Sequence, residues 1–175
     1  MTAPTQLPAG RELEQVPWRL DPARSSVEFQ AKTLWGLVTV KGRFERYEGR
    51  LDFSQDPAIE LAIDAASLDT GHAKRDKHLR SDDFFAVGAQ PHVRFMSDRV
   101  VGVGDRLYVH GELHGVGRSV PLQIGATLER NGDEYDIAAE TTVDRRELGM
   151  THSPLRMLRH PVKLSVRGRL VRDEL

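Results

Sequence analysis

The chain has 175 residues, with 25 Lys or Arg, 26 Asp or Glu and no cysteine, for a formal charge of −1. That length suits one domain with its own core. The absence of thiols excludes disulfides, thiolate zinc sites, iron–sulfur clusters and thiol nucleophiles, and the balanced charge lacks the basic field of a nucleic-acid binder.

Residues 1–15 contain neither an early basic cluster nor an apolar run of signal-peptide length. They read as a flexible N-terminal tail on a cytoplasmic protein, with one folded domain over 16–175. No segment approaches the eighteen or so consecutive apolar residues of a membrane-spanning helix.

From Trp18 onward, apolar residues recur every second position, the signature of half-buried strands. The first set is Val27, Phe29 and Ala31. Over 37–53 the phase flips, from Val38, Val40 and Phe44 to Tyr47, Leu51 and Phe53, as a bulge or sharp bend would require. Ile59, Leu61 and Ile63 follow, then Val93 and Phe95, then Leu107, Val109, Gly111 and Leu113. Three long faces complete the chain: Val120 to Leu128, Tyr135 to Val143 and Val162 to Leu170. Turns fall at Asp56-Pro57, 102–105, 115–117 and Asn131-Gly132. Only Lys74–Ser81 and a single turn from Ser153-Pro154 to Leu158 read as helical. Eight strands with one-sided faces predict an all-β, closed antiparallel barrel, because closure removes exposed sheet edges. A two-sheet sandwich is the alternative.

Chemistry-bearing clusters are few. His110, Glu112 and His114 share one strand face and could hold a divalent metal, although a solvated outer row explains them as well. The pairs Asp82-Asp83 and Asp64/Asp69 resemble turn caps, and no nucleophile elbow or phosphate-binding loop is present. Small residues on the apolar faces (Ala31, Gly111, Ala126, Ala139, Thr141 and Gly168) favour a hollow interior over a filled one. Between Leu148 and Arg172 the chain carries basic residues and no acid. A charged outer strand face is the simpler reading of that stretch.

Several ordered motifs make the chain resemble the YceI-like, polyisoprenoid-binding family from about Trp18 to Leu170. They are Trp18 to Phe29, Val40-Lys-Gly-Arg-Phe44, Leu68-Asp-Thr-Gly71, Arg75-Asp-Lys-His-Leu79, Asp83-Phe-Phe85, Pro91-His-Val-Arg-Phe95, Gly111 to Val116, and Asp144 to Gly149. Arg24 and Thr33 stand where the family often has His, and 148–160 departs from its usual loop. The resemblance implies an eight-stranded antiparallel lipocalin-like barrel with a hydrophobic interior channel and one or two short helices. It also implies binding of polyprenyl compounds or isoprenoid quinones, without catalysis, cofactor or obligatory metal.

The expected function is therefore non-enzymatic binding, transport or sequestration of a long isoprenoid lipid. Alternation assigns the channel to Val27, Phe29, Phe44, Ile63, Phe95, Leu113, Leu122, Ile124 and Ile137, with Phe84, Phe85, Leu155 and Leu158 at its ends. Arg75, Asp76 and His78 are expected to fix the helix to the barrel. The lipid is the expected partner, with no nucleic acid and no transmembrane segment, and a homodimer is compatible with the sequence. Two rivals are a metal-dependent enzyme using His110, Glu112 and His114, and a solid-barrel stress or interaction module.

Overall fold

The computed structural model describes residues 16–54, 56–153 and 158–174. The expected tail over 1–15 and most of the turn after Ser153 lie outside these residues. Ser153 itself accepts a 3.0 Å hydrogen bond from the Leu158 backbone N–H.

The strands are β1 (Trp18–Leu20), β2 (Ser26–Thr33), β3 (Val38–Phe44), β4 (Tyr47–Asp52), β5 (Ala58–Asp64), β6 (Leu68–Asp69), β7 (His92–Val103), β8 (Arg106–Gly115), β9 (Arg118–Asn131), β10 (Glu134–Asp144) and β11 (Pro161–Arg172). Their order is β1-β4-β5-β7-β8-β9-β10-β11, and β1 pairs again with β11, which closes a ring of eight. The remaining segments are halves of broken strands. β1 and β2 both run against β11, separated by a 3-10 turn at Pro22–Arg24. β3 and β4 are split at Glu45–Arg46, so β3 pairs with β2 while β4 pairs with β1 and β5. The phase flip over 37–53 is thus a change of partner strand.

Every pairing in the ring is antiparallel, and the inward phase matches the alternation of the sequence. Leu107, Val109, Gly111 and Leu113 are buried on β8, with Arg106, Tyr108 and Glu112 outside. Burial of these faces drives closure, because each apolar side chain removed from water contributes about 1.5–3 kcal/mol.

The two ends of the barrel differ. At the closed end Trp18, Leu20, Leu51, Leu107 and Leu170 fill the interior, and Trp18 meets Tyr135 edge to face at 5.1 Å. At the other end the ring parts twice. β3 gains a second neighbour, β6, only at Arg43 and Phe44. β9 and β10 stay paired only from Glu134 to Glu140, although each keeps its other partner further.

One helix, α1 (Ala73–Arg80), sits at this open end. Its sequence is almost wholly polar, so packing of one apolar face does not explain it. Hydrogen bonds anchor it. His72 Nδ1 accepts from the Arg75 backbone N–H at 3.3 Å. Buried Asp76 accepts from the Thr70 backbone N–H and hydroxyl. Arg80 donates to the carbonyls of Ala66 and Leu68 at 2.9 and 2.7 Å.

Candidate functional site

Between the filled end and α1 lies a cavity of about 410 Å³, within the range of small-molecule pockets. Its wall is mostly aliphatic and aromatic. Val27, Phe29, Phe44, Ile63, Phe84, Phe85, Phe95, Leu113, Leu122, Ile124 and Leu158 all lie on it. Ile137 does not. It is buried toward the closed end, opposite Leu128 and Gly168, because alternation gives the side of a strand and not the height at which the interior fills. Leu155 lies outside the described residues.

Close backbone approaches shape the floor and one side. A Cβ built on Gly111 would fall 2.7 Å from Phe95 Cζ, so the Phe95 ring occupies the space a side chain would take. Phe29 does the same over Gly42, at 2.3 Å. Phe29, Phe44 and Phe85 form an aromatic cluster with ring separations of 5.3, 5.8 and 6.2 Å. Among the small residues, Ala31, Ala139 and Thr141 face the cavity, whereas Gly111 and Gly168 receive neighbouring side chains.

Sequence reasoning anticipated Thr141 on the wall but missed its other polar members: Thr33, Arg75, His78, Glu140, Arg145 and Ser165. Arg145 is 3% exposed. Its Nε donates to Arg159 O at 3.1 Å, Nη1 to His152 O at 3.0 Å and to Met150 O, and Nη2 to Leu158 O at 3.3 Å. Burial pushes this guanidinium below the ordinary arginine value, with Asp144 opposing the shift. These bonds tie the carbonyls of Met150, His152, Leu158 and Arg159 to the end of β10, and Leu148, Met150 and Leu158 lie on the wall. A signal existed: Arg145 continues the odd-numbered inward phase of β10. The next residue, Arg146, faces Asp144 and holds its carboxyl down at about 2.

Arg75 donates from Nε to Thr70 Oγ1 at 2.8 Å and from Nη2 to Thr70 O at 2.9 Å. Arg75 and Asp76 both grip Thr70 and so fasten the helix, while Arg75 also reaches the wall. His78 instead faces Asp83, with Nε2 and Oδ2 at 2.9 Å, and packs edge to face on Phe84 and His152.

His110, Glu112 and His114 lie on the outer face of β8. Glu112 and His114 approach to 3.5 Å and His114 meets Ser119 Oγ at 3.0 Å, but the three do not gather their ligand atoms. Among the described residues the group that does is His78, Asp83 and His152, with all three ligand atoms within 4.8 Å of one another. The basic C-terminal strand is largely neutralised in place: Lys163 pairs with Glu140 at 3.1 Å, and Arg169 with Glu134 and Asp136 at 2.9 and 2.6 Å.

The family model for the YceI-like domain matches residues 18–170, the whole described barrel except its last residues. The chain belongs to the YceI-like family. A UPF0312 protein of Vibrio parahaemolyticus is 34% identical over 138 residues, covering 73% of this chain and 72% of the relative. One from Vibrio cholerae is 38% identical over 141 residues, covering 73% of each chain. Among solved structures, BcnA of Burkholderia cenocepacia superposes with a TM-score of 0.79 at 19% identity, over 87% of this chain and 99% of its own. A polyisoprenoid binding domain from Saccharophagus degradans, implicated in plant cell wall breakdown, gives 0.73 at 16% identity, over 90% and 99%. These likenesses establish the eight-stranded barrel. No helix among the described residues is long and apolar enough to cross a membrane.

Proposed function

We propose that this YceI-like barrel binds the tail of a long isoprenoid lipid, a polyprenyl compound or an isoprenoid quinone, as a non-enzymatic carrier or sequestering protein. The observation that carries this reading is the apolar cavity of about 410 Å³, open at one end of an otherwise filled barrel. Each buried CH₂ contributes about 0.8 kcal/mol, so a branched apolar chain is held with few polar contacts. The Saccharophagus degradans neighbour is a polyisoprenoid binding domain, which supports the same ligand class. A packed, solid barrel has no room for such a ligand, and the outward row His110, Glu112 and His114 offers an enzyme no converged ligand set. The cytoplasm is the proposed compartment.

Mass spectrometry of an organic extract, from protein purified without detergent, tests the reading. A co-purifying isoprenoid is the expected result. A clean extract, together with no uptake of added polyprenol or quinone, would overturn it. Fractionation after expression from Met1 checks the compartment.

A further inference from the structure

We propose that the tip of the β2–β3 hairpin, Leu34–Val38, is a membrane-docking surface that seats the open end of the barrel on an anionic bilayer. Among the described residues the exposed large apolar side chains are Leu34 (39%), Trp35 (64%), Leu37 (85%), Val38 (42%), Met96, Val103 and Tyr108. Four of these seven fall within five consecutive residues at one loop. Scattered apolar residues are ordinary on a surface, but a contiguous exposed group marks an interaction site.

The backbone of the tip is unusual in the same place. Leu34 and Trp35 have φ of 49° and 54°, followed by Gly36 at 94°. Left-handed conformation is strained in a bulky residue, and Asn or Gly would make the same reversal at lower cost. The turn is nonetheless held in shape. Leu37 donates to Leu34 O at 3.1 Å and Arg159 N to Lys32 O at 2.9 Å, and Arg159 Nη2 donates to Trp35 O at 2.9 Å. The consequence of this strained turn is that an indole and two leucines project into solvent.

Charge selects the partner. From Phe29 to Phe44 the chain has no Asp or Glu, but it has Lys32, Lys41 and Arg43. Among the described residues Lys32, Lys41 and Arg159 have no carboxylate partner, whereas Arg43 is paired with Glu45 and Asp69. An apolar tip ringed by unpaired cations fits the interface of a bilayer, where Trp and Leu partition into the headgroup boundary. Each basic residue near an anionic leaflet adds to the attraction.

Position gives docking a purpose. Thr33 and Val40, on either side of the tip, line the cavity, as does Leu158 next to Arg159. A barrel seated by this tip has its open end against the lipid, which shortens the path of an apolar ligand through water. Docking through the tip does not depend on what fills the cavity, because Trp35 is not on the cavity wall.

The chain contains two tryptophans, and Trp18 is 2% exposed at the closed end, so Trp35 reports the tip. The full chain is titrated with phosphatidylcholine vesicles, with and without about a third of phosphatidylglycerol, while emission and co-sedimentation are followed. The expected result is a blue shift and co-sedimentation with the anionic vesicles, both reduced by high salt. Leu37→Asp weakens binding by about tenfold or more with an unchanged melting temperature, and Trp35→Phe abolishes the shift but not the co-sedimentation. Absence of both signals, or Leu37→Asp binding as well as the parent, would overturn the proposal. A blue shift that follows protein concentration without vesicles, together with a dimer in sedimentation, would also overturn it, by showing that a second copy covers the tip.

Discussion

Along β10 the inward positions run from Tyr135 and Ile137 to Ala139, Thr141 and Val143, and their surroundings change part-way. Tyr135 packs on Trp18, and Ile137 lies opposite Leu128 and Gly168 in a filled interior. Ala139, Thr141 and Val143 face open space. The same alternation therefore builds a solid core at one end and a container at the other. Two local devices make the difference: side chains that lean over glycines to form a floor, and strand pairings that stop early. Ala139 pairs directly with Ala126 in the β9–β10 register, yet Ala139 lies on the cavity wall and Ala126 does not. The boundary between solid and hollow passes between these two alanines.

Truncation at the filled end has the largest expected effect. Leu107 and Leu170 are fully buried there, and replacing either with Ala is expected to cost about 2–5 kcal/mol in denaturant melts. Leu122→Ala on the cavity wall should cost less, because its removed atoms already face space on one side. Equal losses at the two ends would mean that the cavity closes in solution. Next in size is Arg145→Ala, which leaves carbonyls of Met150, His152, Leu158 and Arg159 without their donor. A loss of about 1–3 kcal/mol is expected, together with faster proteolysis within 145–160.

Overpacking sharpens the boundary itself. Ala126→Leu adds volume to a filled region and should cost about 1–3 kcal/mol. Ala139→Leu adds it to empty space and should cost under about 1 kcal/mol, while shifting preference toward shorter isoprenoids in a chain-length titration. Similar costs for both would place the boundary elsewhere.

Smaller still is an effect of acid at the closed end. Arg24, and then Arg169, hold the Glu134 carboxyl at about 2, against an ordinary value of 4.5. A depressed carboxyl stabilises the fold above its unfolded value, and that contribution is lost as pH falls from 4.5 towards 2. Arg24 is exposed and Glu134 and Arg169 are only half-buried, so the loss should be modest and screened by salt. Glu134→Gln should remove this part of the acid dependence of the melting temperature. For His78, Asp83 and His152 the expected effect is nil: no stoichiometric metal by elemental analysis and no change in melting temperature with chelator. Bound metal lost in His78→Ala would reverse that expectation.

Most of the barrel was legible because period-two patterning names the inward side of each strand, and the ring uses that side throughout. The helix expected at Lys74–Ser81 forms at Ala73–Arg80 because the break at Thr70-Gly71 marks its start. What alternation does not carry is who pairs with whom. The split of 37–53 into β3 and β4 shows in sequence only as a change of phase. Ile137 and Ile124 read alike, yet only Ile124 meets the cavity, since the height of the floor depends on Phe95 and Leu20 from other strands. Arg145 was hidden for a different reason. A charged residue at the end of an apolar face reads as the place where the strand reaches water, whereas here it stays inside by bonding to carbonyls.

The closure of the ring carries a consequence for synthesis. β1 is completed by β11, with Trp18 opposite Arg172 and the Asp173 N–H bonded to Pro17 O at 2.8 Å. The seam therefore joins segments separated by nearly the whole chain, the kind of contact that makes folding slow. Until β11 leaves the ribosome, β1, β2 and β10 each lack a neighbour, and the future cavity is the bare concave face of an open sheet. That nascent sheet is exposed to aggregation. It is also open from the side, so the wall that separates the interior from solvent is completed only when the last strand adds.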